Sequence, residues 1–237
     1  MDRLSGISAF FPAYNEERNV AAMVERLAAV LPRVADDYEV IVVDDGSVDR
    51  TGAIADEIAA SDPHVRVVHH GRNRGYGGAL KSGFEAGRKE WTFFTDGDGQ
   101  FDVEEIGRLL PLTASHDIVV GYRLDRAEGG LRRLNAAAWN WLVRRLFGIP
   151  VRDVDCAFKL IHRPVLEVVH PQAEGAMIST EFLARAVRAG FRVVEVGVHH
   201  YPRQHGKPTG ANPLVIARAF YELFRLYRRI TSEVPGR

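Results

Sequence analysis

Residues 91–101 read Trp-Thr-Phe-Phe-Thr-Asp-Gly-Asp-Gly-Gln-Phe, an apolar run of strand length that ends in two carboxylates separated by one glycine. At the carboxyl end of a strand, Asp96 and Asp98 can both turn toward one point outside the sheet. Hard oxygen ligands of this kind suit Mg²⁺ or Mn²⁺, which keep substrate phosphates in their remaining coordination positions. Gln100 adds a neutral oxygen two residues further on. The pattern therefore favours a divalent-cation site over the alternative, an acidic turn.

Outward from this run, strand-length apolar segments alternate with helical patterns through the first 120 residues. We predict strands at Ile7–Phe11, Glu39–Val43, Val65–His69, Trp91–Thr95 and Asp117–Val120, and helices at Glu16–Leu31, Asp49–Ala60, Gly75–Arg88 and Val103–Leu110. Such alternation predicts an α/β fold with a doubly wound, mostly parallel sheet. In that architecture ligands bind outside the carboxyl ends of the strands, which is where each polar motif of this chain lies.

After about residue 125 the alternation becomes less regular. We predict helices at Leu131–Phe147, Ile178–Ala189 and Pro213–Ile230, and strands at Ala157–His162 and Arg192–His199. The sequence shows no internal repeat and no flexible linker. We therefore expect one α/β domain over residues 1–211, extended by a C-terminal amphipathic helix over residues 212–237.

Composition limits the class of protein, and the distribution of charge suggests two functional surfaces. Hydrophobic residues make up 46% of the 237 residues and charged residues 26%, as in soluble globular proteins. Lys+Arg and Asp+Glu both number 31, but arginines are concentrated between Gly121 and Arg152 and again between Tyr201 and Ile230. This asymmetry indicates a metal-nucleotide site in the N-terminal half and an anion- or membrane-facing surface in the other, with no nucleic-acid partner.

Cysteine content and hydropathy bear on the compartment. Cys156 is the only cysteine, so an intrachain disulfide is excluded and a reducing compartment is the simpler assumption. No apolar run approaches the length of a membrane-spanning helix, and no signal peptide is visible. We expect a cytoplasmic protein, soluble or peripheral on the inner face of the membrane.

Two other predicted strands also end in polar motifs. After the first strand, Tyr14 offers an aromatic face on which a base can stack, and Glu16 offers an acid for its polar edge. The alternative is an ordinary helix start capped by Asn15. After the second strand, Asp44 and Asp45 can accept hydrogen bonds from a ribose diol or a base N–H.

The third strand is followed by a glycine-rich loop, Asn73-Arg74-Gly75-Tyr76-Gly77-Gly78-Ala79. Its glycines permit close approach of the backbone to a sugar or phosphate, and Arg74 can neutralise negative charge. The sequence has neither a G-x-G-x-x-G nor a Walker lysine pattern, which disfavours a dehydrogenase and an NTPase.

Taken in order, these motifs resemble those of the family 2 inverting glycosyltransferases, which have the GT-A fold. The segments that carry the resemblance are Pro12-Ala13-Tyr14-Asn15-Glu16, Val43-Asp44-Asp45-Gly46-Ser47, Asn73-Arg74-Gly75 and Asp96-Gly97-Asp98-Gly99-Gln100. Three later segments are similar to those of polyprenyl-phosphate sugar transferases, typified by dolichyl-phosphate mannosyltransferase: Gly121-Tyr122-Arg123, Arg152–Lys159 and Tyr201–Lys207. The chain departs from that pattern at Ala157, where relatives usually carry glycine.

The resemblance implies a role for each group of residues. It implies that the nucleotide is held by Pro12, Tyr14, Glu16, Asp45, Arg74 and Asp96, and the divalent metal by Asp96, Asp98 and Gln100. It implies that the phosphate of the acceptor is held by Arg123, Arg132, Arg133, Arg203 and Lys207. Catalysis would then depend on Asp98, Arg123, Arg203 and Lys207. Glu181 matches an acid of the relatives whose role the sequence leaves open.

The function implied is metal-dependent, inverting transfer of a hexose, mannose or glucose, from a GDP- or UDP-sugar to a polyprenyl phosphate. The metal stabilises the diphosphate leaving group, and a lipid phosphate is already an anionic nucleophile, so basic residues need only position it. Three alternatives stay open: a soluble or glycan acceptor, a nucleotidyltransferase, and a non-catalytic nucleotide-sugar sensor or scaffold. The last helix, Pro213–Ile230, either lies on an anionic membrane or packs against the catalytic domain or a second subunit.

Overall fold

The computed structural model of this chain describes residues 3–124, 130–175, 177–202 and 213–232, without the side chains of 130–137 and 213–219. Seven strands are present in this part of the chain: β1 Ile7–Ala13, β2 Tyr38–Asp44, β3 Val65–His69, β4 Trp91–Thr95, β5 Ile118–Arg123, β6 Phe158–His162 and β7 Val193–Val198. The helices are α1 Val20–Val34, α2 Thr51–Ser61, α3 Gly75–Ala86, α4 Gly130–Phe147, α5 Arg163–Val168, α6 Ile178–Arg188 and α7 Pro213–Ser232. Two short 3₁₀ helices cover Val103–Arg108 and Leu110–Leu112.

The strands form one sheet in the order β3-β2-β1-β4-β6-β5-β7. β6 runs antiparallel to both of its neighbours, β4 and β5, and the other pairs are parallel. This confirms the predicted α/β, mostly parallel sheet. Because β1, β2 and β4 run in the same direction, their carboxyl ends meet at one edge, where the polar motifs following them are brought together.

Two hydrophobic cores hold helices against the sheet. One lies around β1 to β4 and includes Phe10, Phe11, Phe93 and Phe94, each at most 1% exposed. Helices cover both faces of this part of the sheet, which is why the strands read as continuous apolar runs rather than alternating ones. The second core joins β5, β6, α4, α5 and α6 to the last helix, α7. Full burial of each phenylalanine stabilises the fold by roughly 1.5–3 kcal/mol.

Three differences between the structure and the predicted elements go beyond shifts of up to three residues at the ends of strands and helices. Helix α1 begins at Val20 rather than at Glu16. The residues before it form a turn, in which Val20 donates its N–H to the Glu16 carbonyl at 2.9 Å, while Glu16 donates its own N–H to Thr51 in a neighbouring loop. The segment predicted as a helix at Val103–Leu110 is 3₁₀, with bonds such as Glu105 N–H to the Asp102 carbonyl. Helix α5, which has Pro164 in its first turn, was not predicted.

Helix α7 packs against the domain along one side only. Leu223, Leu226 and Ile230 are buried in the second core, whereas Phe220, Tyr221 and Phe224 are 50%, 67% and 61% exposed. Packing against the domain, one of the two alternatives for this helix, is therefore confirmed for the buried side. In the described part of the chain, no helix combines the length and the apolar character needed to cross a bilayer.

Candidate active site

A cleft of about 380 Å³ opens beyond the carboxyl ends of β1, β2 and β4. It brings together six residues predicted from the sequence, namely Pro12, Tyr14, Glu16, Asp45, Asp96 and Asp98. The same lining includes residues that the sequence analysis did not single out: Ala13, Asn73, Gly75, Tyr76, Ala79 and Gly97. Residues from four separate loops thus converge on one cavity, as the strand order requires.

The loops after β1 and β2 are joined by hydrogen bonds from backbone N–H groups to side-chain oxygens. Asn15 donates its N–H to Ser47 Oγ at 3.0 Å, and its own Oδ1 accepts the N–H of Val48 at 2.9 Å. Glu16 donates its N–H to Thr51 Oγ1 at 2.8 Å. Asn15 adopts a left-handed conformation with φ of 56°, which asparagine tolerates better than most residues. The predicted helix cap at Asn15 is therefore wrong, because its side chain fastens the two loops together.

Asp45 lines the cleft but is buried, and its carboxylate is held by two hydrogen-bond donors. Its Oδ1 accepts hydrogen bonds from His70 Nδ1 at 2.6 Å and from the backbone N–H of Arg74 at 2.8 Å. His70 Nε2 lies 2.9 Å from Ser82 Oγ. The carboxylate thus has a fixed orientation before any ligand enters.

Asp44, the neighbouring carboxylate, has a structural role instead. Its Oδ1 accepts the N–H of Ser47 at 3.0 Å and its Oδ2 lies 3.0 Å from His69 Nδ1. Burial alone raises a carboxyl pKa, but the hydrogen bonds from Ser47 and His69 outweigh it and lower the pKa of Asp44. His69 Nε2 lies 2.9 Å from Asp56, and the pKa of His69 is raised by Asp56 and then by Asp44.

Asp96 and Asp98 lie together at the end of β4, as predicted. Burial and the charge of Asp98 raise the pKa of Asp96 to about 7, although the positive charges of Lys159 and Arg123 act in the opposite direction. Tyr76 donates its hydroxyl to Asp96 Oδ1 at 3.0 Å. A carboxyl with a pKa near 7 releases its proton readily when a cation approaches, because the positive charge offsets the effects of burial and of Asp98.

The donor set at this end of β4 fits Mg²⁺ or Mn²⁺ only in part. Among the residues described here, no group of three or more His, Cys, Asp or Glu side chains is arranged to hold a metal ion. The protein thus supplies the two carboxylates Asp96 and Asp98. This number suits a metal that is bound jointly with the phosphates of a substrate, since Mg²⁺ sites commonly have one or two carboxylates, phosphate oxygens and water.

Gln100 belongs to the loop after β4, residues 96–100, which we call the metal loop because the predicted metal ligands lie in it. It connects this loop to the segment after β7. Its side-chain amide donates to the Tyr201 carbonyl at 2.9 Å, and its own carbonyl accepts the Tyr201 N–H at 2.8 Å. The prediction for Gln100 concerned its side-chain oxygen as a metal ligand, and that role stays a prediction. Gly97, in the same loop, is close-packed: a Cβ there would lie 2.8 Å from the Pro12 carbonyl oxygen.

Helix α3, which forms one wall of the cleft, is contacted by the loop between α5 and α6. Gly77 donates its N–H to the Glu174 carbonyl at 2.9 Å, and a Cβ at position 77 would lie 2.5 Å from the Glu174 carbonyl carbon. In the same loop, just before Glu174, the N–H groups of Gln172 and Ala173 donate to the fully buried Glu181 at 3.0 and 2.7 Å. Glu181 therefore fixes the loop against which the start of α3 rests.

Glu181 is in turn paired with two guanidinium groups. Arg185, one turn later in α6, donates Nε to it at 2.9 Å. Arg229 of α7 lies 3.5 Å away and also donates to the Gln172 side chain at 3.0 Å. The last helix thus contacts the same loop that supports the cleft.

Arg123, predicted to bind an acceptor phosphate, forms a two-pronged ion pair with Asp153. Its Nε and Nη2 lie 2.7 and 2.8 Å from the two carboxylate oxygens, and the Asp153 side chain is only 4% exposed. Burial opposes the charge on Arg123, but the hydrogen bonds to Asp153 outweigh it and raise the pKa of the guanidinium. The acceptor role of Arg123 stays a prediction, and it now requires a phosphate to bind beside a pair already made.

Of the other predicted basic residues, the structure describes the side chain of Arg74. Arg74 contributes its backbone N–H to Asp45, while its Nη1 lies 3.4 Å from both His70 Nε2 and Ser82 Oγ. The side chains of Arg132 and Arg133, and the whole of Arg203 and Lys207, fall outside the described residues.

Sequence reasoning missed three of the residues that shape this site. Tyr76 was present in the glycine-rich loop, where an aromatic between two glycines was the available signal. His70 lies three residues before the start of that loop, but a histidine at a strand end usually indicates packing. Asp153 was recognised only as part of a motif, because nothing in the spacing shows that a residue 30 positions away pairs with Arg123.

Comparison with known proteins agrees with the motifs. The profile of glycosyl transferase family 2 matches residues 8–169. The chain is 34% identical over 218 residues to the polyprenol monophosphomannose synthase of Mycolicibacterium smegmatis, covering 85% of this chain and 80% of that protein. It is 30% identical over 212 residues to an undecaprenyl-phosphate 4-deoxy-4-formamido-L-arabinose transferase of Pectobacterium carotovorum, covering 87% of this chain and 63% of that one.

Some relatives are much longer than this chain. The glycosyltransferase AglD of Haloferax volcanii is 35% identical over 245 residues, but the match covers 95% of this chain and 39% of AglD. Among solved structures, glucosyl-3-phosphoglycerate synthase of Mycobacterium tuberculosis, in complex with Mn²⁺, UDP-glucose and phosphoglyceric acid, superposes with a TM-score of 0.70. That match covers 94% of this chain and 80% of the other at 19% identity, which establishes a shared fold.

Proposed function

The chain belongs to glycosyl transferase family 2, and on that premise we propose that it transfers a hexose from a GDP- or UDP-sugar to a polyprenyl phosphate with inversion at the anomeric carbon. The observation that carries the acceptor is the similarity to relatives named for polyprenyl and undecaprenyl phosphates, one of them over 80% of its length. The names of those relatives differ in the sugar. Mannose or glucose is therefore our proposal for this chain, and galacturonate or a formamido-arabinose is the competing outcome.

The donor half of the reaction uses the cleft. We assign the nucleotide to Pro12, Tyr14, Glu16 and Asp45, whose loops are fastened to each other before the ligand enters. Asp96 and Asp98 line the same cavity and would hold a divalent cation together with the donor diphosphate. When bound, the cation would offset the charge that develops on the departing diphosphate.

The acceptor half needs no strong base. A lipid monophosphate already carries the negative charge of a nucleophile, so the protein must hold it near the anomeric carbon and exclude water. The bonds between Gln100 and Tyr201 support this assignment, because they connect the metal loop to the chain that continues into Arg203 and Lys207. We propose that these two residues, with Arg132, Arg133 and Arg123, bind the acceptor phosphate.

We further propose that α7 lies at a membrane surface, on the cytoplasmic side, where a polyprenyl phosphate is found. The exposed side of this helix carries Phe220, Tyr221 and Phe224, with Arg225 and Arg228 exposed among them. The Arg228 guanidinium lies 5.9 Å from the centre of the Phe224 ring. Aromatic rings with interspersed cations are the composition of helices that lie in the headgroup region of anionic membranes.

A single assay tests donor and acceptor together. The protein is incubated with Mn²⁺, a radiolabelled GDP- or UDP-hexose and a polyprenyl phosphate in vesicles, and the product is separated by lipid extraction. Label in the lipid phase, with release of a nucleoside diphosphate, supports the proposal. A nucleotidyltransferase would leave the lipid unlabelled in this assay and would release pyrophosphate when supplied instead with a nucleoside triphosphate and a hexose 1-phosphate. A labelled water-soluble product other than the donor would indicate a soluble acceptor.

The membrane proposal has its own test. Phe224→Ser removes an exposed ring without opening the core, and Val168→Ser is the matched control, because Val168 is 60% exposed on another helix. We expect Phe224→Ser to weaken binding to vesicles containing anionic lipid, and Val168→Ser to leave it unchanged. Equal binding by both variants and the wild type would overturn the assignment of this surface.

A further inference from the structure

We infer that His70 is a positioning residue for base recognition: its imidazole fixes the Asp45 carboxylate so that the remaining oxygen accepts an N–H of the nucleotide base. This inference rests on the proposed donor site and specifies how that site reads the base. In the structure, His70 is part of a chain of hydrogen-bonded side chains.

The bonded chain runs from the cleft inward. His70 Nδ1 lies 2.6 Å from Asp45 Oδ1, and His70 Nε2 lies 2.9 Å from Ser82 Oγ. The side chains of His70 and Asp45 are 4% and 5% exposed, so water does not compete for these bonds. A buried carboxylate with such partners is held in one orientation, whereas a solvated one rotates.

The partners of His70 fix which of its nitrogens carries the proton. A carboxylate only accepts hydrogen bonds, so Nδ1 must donate to Asp45. On the other side of the ring, Arg74 Nη1 lies 3.4 Å from Nε2, and a guanidinium can only donate. Nε2 must therefore keep its lone pair, which the Ser82 hydroxyl also satisfies. In this arrangement the Nδ1–H of His70 points at Asp45.

Both donors to Asp45 bind the same oxygen. The Arg74 N–H reaches Oδ1 at 2.8 Å, beside the bond from His70. Within the described part of the chain, the hydrogen bonds that Asp45 accepts all fall on Oδ1, so we assign Oδ2 to the ligand. The cleft then presents a fixed acceptor oxygen, and the chemistry that matches it is a ring N–H, which uracil and guanine both carry.

The adjacent pair, Asp44 and His69, provides a natural control. His69 makes the same kind of contact with its own aspartate at 3.0 Å, but it is 44% exposed and bonds to Asp56 at the surface. Asp44 does not line the cleft, whereas Asp45 does. A histidine-to-alanine change at position 69 removes an equivalent bond one residue away without touching the nucleotide.

The test compares His70→Ala, His70→Asn and His69→Ala in calorimetric titrations with Mn²⁺ and each of UDP, GDP, CDP and dTDP. Pyrophosphate with Mn²⁺ is the probe that lacks a base. We expect His70→Ala to weaken the preferred nucleotide by roughly ten- to a hundredfold, the range for a hydrogen bond to a charged group, and to leave pyrophosphate unchanged. His70→Asn should recover most of the affinity, because its amide N–H takes the place of Nδ1–H.

Two further measurements separate positioning from folding. In an Asp45→Ala background, His70→Ala should cause no additional loss, since the residue acts through Asp45. If His70→Ala does not fold, the comparison of His70→Asn with His70→Gln decides, because the Gln amide matches the position of Nε2 and should not restore binding.

The outcomes distinguish this inference from the proposed function. Absence of binding by the wild type to every nucleotide would overturn the proposed function and this inference with it. Nucleotide binding by the wild type that His70→Ala leaves intact, or an equal loss of nucleotide and pyrophosphate, would overturn the positioning role alone. His69→Ala should behave as the wild type throughout.

Discussion

The two halves of the sheet use their charged residues in opposite ways. At the ends of β1, β2 and β4, Asp45, Asp96 and Asp98 are gathered around one cleft, and two of them lie a single residue apart. Around β5, β6 and β7, arginines are abundant in the sequence but are paired with acids: Arg123 with Asp153, Arg152 with Glu195, Arg192 with Asp117, and Arg185 and Arg229 with Glu181.

This difference shows that a count of charges does not reveal how much charge is available. Burial, and then the charge of Asp98, raise the pKa of Asp96, a state suited to the cation proposed to bind there. The paired arginines of the other half contribute to structure instead. The proposed phosphate-binding role in that half therefore depends mainly on the basic residues of the segments after β5 and β7, with Arg123 contributing beside its existing pair with Asp153.

The largest expected effect tests the cleft half. Asp98→Ala removes a carboxylate from the metal site, and we expect turnover in the lipid-extraction assay to fall by at least about 10²–10³-fold, the loss typical when a group that stabilises transition-state charge is removed. The melting temperature should change little. Asp36→Ala, an equal change of charge at a 69% exposed side chain, is the control. Full activity of Asp98→Ala would remove the metal assignment.

The second prediction tests the paired half through stability. Asp153→Ala leaves the Arg123 guanidinium without its partner in a mostly buried position, and we expect the free energy of unfolding to fall by roughly 3 kcal/mol. Urea denaturation measures this. Glu167→Ala, which breaks an exposed pair with Arg163, should cost less than about 1 kcal/mol. Equal losses in the two variants would contradict the distinction between buried and surface pairs.

The third prediction concerns pH and the cleft. Because the pKa of Asp96 is about 7, its carboxyl is protonated below that pH and must lose the proton to bind a cation. The apparent affinity for Mn²⁺, measured by electron paramagnetic resonance, should therefore fall about tenfold per pH unit below 7 and level off above it. In Asp96→Asn this dependence should disappear. A flat profile in the wild type would contradict the raised pKa of Asp96.

The smallest expected effect concerns His69. Its pKa is raised above the usual 6.5 by Asp56 and then Asp44, so its charged form stabilises the fold. That contribution is complete below pH 6.5 and is lost as the pH rises through the raised value. The difference in unfolding free energy between the wild type and His69→Gln should be a few tenths of a kcal/mol at pH 6 and vanish by pH 9, given the exposure of the side chain. Asp56→Asn should reduce the same difference.

Much of the cleft followed from the sequence because it is built from short segments after strands. Once the βαβ alternation was read, the strand ends had to meet, and Tyr14, Asp45 and Asp98 were placed together before any coordinates. The sheet class was confirmed for the same reason. What periodicity cannot show is the reversed direction of β6, because an isolated apolar run has the same pattern in either orientation.

Contacts between side chains distant in sequence could not be predicted. The bond of His70 to Asp45 joins residues 25 apart, and the pairing of Glu181 with Arg229 depends on how two helices cross. The side of α7 that packs inward was also undetermined, since its apolar residues surround much of the helix. Leu223, Leu226 and Ile230 face inward, whereas Phe220, Tyr221 and Phe224 face outward, although the side chains of both sets are apolar or aromatic.

The pairing of Glu181 with Arg229 has a consequence for how the chain is made. Synthesis proceeds from the N-terminus, so Glu181 emerges together with Arg185 but well before Arg229. Until α7 follows, the loop that Glu181 holds lacks the contact between Arg229 and Gln172. The cleft, encoded in the first hundred residues, thus reaches its final rigidity only after Arg229, more than a hundred residues further along the chain, has been synthesised.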